Sequence, residues 1–238
     1  MRTLAASRLG RGWLVSPQKG CWTHQAIYRA RFCVSHQTVQ DPRVHILETA
    51  LNHVDTLGWT QHALAQAAMD IGMTPMSSSV VHRGPVEMVE YLLKKKRAHV
   101  QTIATASSEC PSDALGEAEQ YKLARLAALI SAHMEYLGPY KNTWPSALAL
   151  LAEPQNAAST LALLQELADD LCNQAGIKSS RMDWYAERGL LLSLYAATEC
   201  YFLTDSSPNL NDTKNFLKRS LDVYATARGY LLPPLFKA

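Results

Sequence analysis

Apolar residues return every three or four positions along almost the whole of this sequence, and strict apolar–polar alternation is nearly absent. That period belongs to amphipathic helices, not to half-buried strands. Val44, Leu47, Leu51, Val54 and Leu57 trace one stripe ahead of Gly58. Thr60 is a good cap for a second helix, which runs through Leu64, Ala65, Ala68 and Met69 to Gly72. A short third helix is expected over residues 75–82. Pro85 suits the first turn of the next helix, which carries Val86, Val89, Leu92 and Leu93 and then the run Lys94-Lys95-Lys96-Arg97. After a polar break around Pro111, a long helix is expected over 117–136, ended by Gly138-Pro139. Pro145 opens another, with Leu148, Leu150 and Leu151. Leu161, Leu164, Leu167 and Leu171 mark one more up to Gly176. Residues 184–203 form the most apolar helix, of the kind that is usually central in a bundle. A last helix reaches about Arg228, before Pro233-Pro234 stops regular structure. The expectation is all-α, with eight or nine helices.

Charge divides the chain unevenly. Residues 1–40 hold six basic residues and no acid, the first carboxylate being Asp41. Of 23 basic residues, 17 then remain against 21 acids, so the body is close to −4. An arginine-rich, acid-free N-terminus reads as a mitochondrial transit peptide. The membrane potential draws such a segment inward, at about 2.3 kcal/mol per charge per 100 mV. No apolar run of 18 or more residues is present, so no membrane-spanning helix is expected. The domain reading is a targeting segment over 1–40, a helix-turn-helix-like part over 41–106, a C-terminal helical part over 107–230, and a tail over 231–238.

Few residues carry recognisable chemistry. There is no G-x-S-x-G, Walker loop, H-E-x-x-H or dinucleotide-binding fingerprint. Glu-x-x-His, the ligand motif of di-iron bundles, is absent too. Cys110, Cys172 and Cys200, the cysteines of the body, form no CxxC and read as reduced thiols. His45 and Glu48 share a helix face by spacing, a common chance pairing. His53, His62, His82, His99 and His133 read as solvated or hydrogen-bonded histidines. Asp169 and Asp170 point about 100° apart on a helix, which suits surface or interface acids. No cofactor and no metal are expected, and the protein reads as no enzyme.

The first three helices, with a turn near Gly72, resemble the DNA-reading unit of TetR-type regulators. The reading helix over 75–82 would offer Met76, three serines and two valines, with Arg83 the nearby cation. DNA affinity comes chiefly from cations neutralising phosphate. A serine-rich helix on an acidic body is a poor DNA binder, so no nucleic-acid partner is expected. The Lys94–Arg97 run reads as a solvated helix face. A diverged TetR-type DNA-binding regulator stays as the alternative reading.

Several further motifs stand in one order: Gly58-Trp59-Thr60, Trp144-Pro145-x-Ala147-Leu148, Asp169-Asp170-Leu171, Asp183-Trp184-Tyr185, and Asp205-Ser206-Ser207-Pro208 with Asp212-Thr213. Over roughly residues 43–228 they resemble the lipid-binding accessory proteins of coenzyme Q biosynthesis, partners of the demethoxyubiquinone hydroxylase. The resemblance implies a TetR-like fold that has lost DNA binding and a homodimer. It also implies isoprenoid quinone intermediates or phospholipid held in the C-terminal half, on the matrix side of the inner mitochondrial membrane. It places the hydroxylase-docking patch on Asp169, Asp170, Leu171, Trp184, Tyr185 and Arg188. Candidate cavity-lining residues are Leu148, Leu164, Leu190, Leu194 and Tyr201. A polyprenyl tail gains about 0.8 kcal/mol per CH₂ removed from water, so it needs an apolar cavity and few polar groups. The family's C-terminal amphipathic membrane helix has no expected counterpart, since 231–238 is too short for one.

Overall fold

Local capping chemistry sets most of the helix starts. The computed structural model describes residues 41–106, 115–177 and 183–231, and every described segment is helical or connects helices. The targeting segment expected over 1–40 lies outside those residues, as does Cys110. Helix α1 (Pro42–Leu51) starts where the Asp41 carboxylate accepts from the Arg43 amide, with proline in the first turn. The chain then steps aside at Asn52 and His53, so the stripe from Val44 to Leu57 becomes α1 and a single-turn α2 (Val54–Leu57). Thr60 caps α3 (Gln61–Asp70), its hydroxyl accepting from the Ala63 amide at 3.3 Å. Gly72 turns the chain with φ +79°, a region that favours glycine.

The third helix departs from expectation. Pro75–Val80 is a 3-10 stretch of six residues, with Ser78 turned inward. The Ser78 hydroxyl donates to the Pro75 carbonyl and receives the Gln61 amide, which ties this turn down rather than presenting it.

The remaining helices are α4 (Pro85–Ala106), α5 (Leu115–Leu137), α6 (Trp144–Ala152), α7 (Ala157–Ala175), α8 (Trp184–Thr204) and α9 (Asn211–Leu231). Gly176 closes α7 in the left-handed conformation, φ +71°. Asp205 anchors the loop before α9: its carboxylate accepts from the Ser207 and Thr213 amides and from the Thr213 hydroxyl. Burial alone would raise its pKa, but those donors outweigh it and hold the group well below the usual carboxylate range.

One continuous core runs through the unit Gln40–Ala238. Helix α4 joins its parts, packing on α1 and also on α5, α6 and α7. Helices α8 and α9 make the most extensive helix pair. Two sequence readings are corrected here. Helix α8 is not surrounded: Leu191, Leu194, Tyr195, Thr198 and Phe202 are buried, while Tyr185, Ser193, Ala197 and Cys200 face outward. The α7 stripe is also split, since Leu167 and Leu171 are buried but Leu161 is 66% exposed.

Candidate lipid site and docking face

Helices α4, α6, α7 and α8 converge on a cavity of about 250 Å³. Its walls are mainly apolar, with Leu93 from α4, Trp144, Leu148 and Leu151 from α6, Leu163, Leu164 and Leu167 from α7, and Ala196 from α8. Trp144 is buried because its indole packs edge-on to Trp59, which in turn donates to the Thr143 carbonyl at 3.0 Å. That chain of aromatics fixes α6 against the N-terminal helices.

A polar group stands among those walls. Lys96 is 1% exposed, and its ammonium donates to Tyr195 Oη at 2.8 Å. The same ammonium lies within 6 Å of the ring centres of Trp144 and Tyr195. Glu199, one turn beyond Tyr195 on α8, accepts from the Trp144 indole at 3.0 Å and also lines the cavity. Behind them lies His133, buried on α5, its ring nearly perpendicular to that of Tyr195 and its Nδ1 without a hydrogen-bond partner among the described residues. Burial, with the charges of Lys96 and Arg97, pushes the His133 pKa well below its ordinary value. The reading of His133 as a solvated histidine is therefore corrected: it is buried.

The Lys94–Arg97 run is corrected as well. Lys94 is exposed with no ion pair among the described residues, whereas Lys95 pairs with Glu48 at 2.6 Å, and Arg97 pairs with Asp170 at 2.6 Å and with Glu166. Glu48 is thus engaged by Lys95. Among the described residues no cluster of three His, Cys, Asp or Glu is set to hold a metal ion. Cys172 is buried, which pushes its thiol up to about 11.

Burial pulls Lys96 down to about 8, against a nearby Glu199 that favours its charge. Between about pH 8 and 10.5 the unfolded chain keeps a proton that the folded protein has released, so stability rises with pH there. The ceiling is about 3 to 4 kcal/mol, from a drop of roughly 2.5 at about 1.4 kcal/mol per pH unit. Tyr195, held neutral by burial, opposes the rise above about pH 10. Lys96→Met should lack the rise between pH 8 and 10, as read by denaturant unfolding against the wild type. Parallel curves for the two proteins would refute the assignment.

The predicted cavity residues separate. Leu148 and Leu164 line this cavity. Leu190 and Leu194 line a shallower groove between α8 and α9, with Val223 and Tyr224 opposite. Tyr201 stacks on Phe216, ring centres 4.4 Å apart, away from both.

The docking candidates also divide. The Arg188 guanidinium lies 3.9 Å from the centre of the Trp184 ring, donates to the Trp184 carbonyl, and pairs with Asp169. Tyr185 packs edge-on to Trp184 and is 77% exposed. Those four form one surface cluster. Asp170 is drawn to Arg97 and Gln101 on the α4 side, and Leu171 is fully buried in the core.

An all-helical arrangement with a helix-turn-helix-like start is a TetR-like fold. Its fold matches a TetR transcriptional regulator from Nitrosomonas europaea with a TM-score of 0.58 at 16% identity, covering 78% of this chain and 99% of that one. At that identity the likeness speaks for the fold alone. Residues 157–228, α7 through most of α9, match the COQ9 family model. The chain is 30% identical over 178 residues to the human ubiquinone biosynthesis protein COQ9, mitochondrial, covering 74% of this chain and 55% of that protein. It is 33% identical over 180 residues to the Drosophila melanogaster protein of the same name, covering 76% and 54%. A probable COQ9 of Dictyostelium discoideum is 29% identical over 184 residues. The chain is thus a relative of the COQ9 proteins, and it spans about half the length of the curated relatives it matches.

Proposed function

We propose that this chain is a non-catalytic lipid-binding accessory protein of mitochondrial ubiquinone biosynthesis, which holds isoprenoid quinone intermediates or phospholipid and presents them to the demethoxyubiquinone hydroxylase. The observation that carries the reading is the apolar cavity among α4, α6, α7 and α8, whose α7 and α8 walls lie inside the family-matched stretch. At about 250 Å³ it falls just under the roughly 300–1,000 Å³ of ordinary small-molecule sites. It therefore suits a head ring or the first units of a tail, with the rest of the tail running outward. Leu161, exposed one turn before Leu164 on α7, offers apolar surface on that side.

Trp184, Tyr185, Arg188 and Asp169 are the proposed docking cluster for the hydroxylase. Large, rigid aromatics with a partnered arginine are the residue types that dominate interface energy. The exposed apolar edge of α8 and α9, with Val223 and Tyr230, suits the implied homodimer. The proposed place of action is the matrix side of the inner membrane, in keeping with relatives that are named mitochondrial.

DNA regulation fits less well. The turn that would read bases is a six-residue 3-10 stretch, and its nearby cation Arg83 is committed to Glu90 at 2.6 Å and to Asn156 and Ser159.

Filling the cavity tests the lipid reading. Leu164→Trp should lower binding of a two-isoprene benzoquinone at least about tenfold, as measured by calorimetry, with helical content unchanged. Equal binding by variant and wild type would sink the assignment of this cavity.

A further inference from the structure

The apolar cavity holds an ammonium group that the fold has taken out of water. Lys96 is 1% exposed, lines the cavity, and has Tyr195 Oη as its hydrogen-bond acceptor, which leaves two of its three N–H donors unused among the described residues. Glu199 lines the same cavity and makes no ion pair with Lys96; its hydrogen bond comes from the Trp144 indole. A donor and an acceptor therefore face one apolar space without satisfying each other. The other cation on the wall, Arg97, is already neutralised by Asp170 and Glu166. His133 stays neutral beneath Tyr195.

We propose that Lys96 and Glu199 are the specificity-determining residues of this cavity, selecting a neutral, oxygen-substituted ring over an anionic phosphate head. This rests on the lipid-binding reading above and deepens it. The free N–H groups of Lys96 suit a carbonyl oxygen, and the Glu199 carboxylate suits a ring hydroxyl. Trp144 and Tyr195 hold the ammonium over their rings and also line the cavity, so a flat ring that reached Lys96 would pack beside aromatic surface. A phosphate would meet Lys96 but would also be forced against Glu199, in a site of low dielectric where like charges repel strongly. A cationic head would meet the reverse problem. The pair sums to zero charge, so it rewards mixed hydrogen-bonding capacity and penalises net charge. Burying such groups costs stability, which the burial-lowered pKa of Lys96 reports.

The test uses the full chain in detergent micelles and three probes that share a two-isoprene tail: a hydroxyl-substituted benzoquinone, a phosphate monoester, and the bare hydrocarbon. Wild-type protein should bind the quinone at least about tenfold more tightly than the phosphate. Lys96→Met should lose about tenfold for the quinone and keep its affinity for the hydrocarbon, the measure of an intact apolar cavity. Glu199→Gln should improve phosphate binding by about tenfold, an opposite effect that general misfolding would not produce. If the hydrocarbon binds but neither variant alters the quinone-to-phosphate preference, the proposal falls and the lipid-binding reading stands. A preference of the wild type for phosphate overturns it equally. If even the hydrocarbon fails to bind, both readings fall together.

Discussion

Glu187→Ala should destabilise the fold by about 3 kcal/mol, near the lower end of the range for breaking a buried charge network. Glu187 is 1% exposed on α8, and both carboxylate oxygens are used. One accepts from Tyr224 Oη at 2.5 Å, the other from Arg228 Nε at 3.0 Å, and both donors stand on α9. Removing the carboxylate leaves a buried phenol and a mostly buried guanidinium without their acceptor. Glu119 on α5 also pairs with Arg228, and that second acid is why the loss stays at the lower end. For a domain of this size the expected fall in melting temperature is about 6–12 °C. Glu187→Gln keeps the shape and one acceptor, so it should cost less than half as much. Thermal melts of the three proteins decide the matter, and an alanine variant melting within about 1 °C of wild type would show the network to be dispensable. The result bears on function because Glu187 lies between Trp184 and Arg188. The network pins the stretch of α8 that carries Trp184 and Arg188 of the proposed docking cluster.

Much of the helical plan was readable from punctuation. Thr60, Gly72, Pro85 and Gly176 fall at helix boundaries because hydroxyl capping, left-handed glycine and proline's fixed φ are local effects. What periodicity could not supply was the neighbour each face meets. The α7 stripe looked uniform, yet its first half is open: Leu167 and Leu171 are buried, while Leu161 and Leu164 stay exposed. Helix α8 looked central because alanine, leucine and tyrosine count as apolar wherever they point. The 3-10 form of 75–80 was also hidden, since Pro75-Met76 followed by three serines supports either short helix.

The site was half legible for the same reason. Leu148 and Leu164 sit on helices whose apolar faces converge, and Leu190, Leu194 and Tyr201 look alike in sequence but fall on other faces. Lys96 was hidden in a run of like charges. Its signal was phase: it stands four residues after Leu92 and four before Val100, both buried, so the apolar stripe of α4 passes straight through it. A cation in register with a buried stripe is the pattern that marks it. Leu171 shows the converse: the resemblance put it in a docking patch beside two acids, while the apolar stripe of its own helix carries it into the core.

Trp184→Lys should weaken binding to the hydroxylase by at least about 30-fold, the loss of a central aromatic anchor worth roughly 2 kcal/mol or more. The ring is partly buried, held from one side by Arg188 at 3.9 Å and from another by Tyr185. Asp169 holds Arg188 in turn, so the ring is ordered before any partner arrives. An ordered aromatic loses little side-chain entropy on binding, which is the physical reason to expect it at the centre of the contact. Lysine would add a charge beside Arg188 as well as remove the ring, so a second variant is needed. Trp184→Ala removes the ring without the charge and should lose most of the same affinity, while Asp169→Asn removes only the ion pair to Arg188, which keeps the Trp184 carbonyl, and should cost only a few-fold. Purified hydroxylase titrated onto each variant by calorimetry gives the comparison, with thermal melts run beside it. Full affinity in both tryptophan variants would move the contact elsewhere. A loss that tracks the melting temperature across all three would make Trp184 a packing residue, whereas a loss at unchanged stability assigns it to the partner.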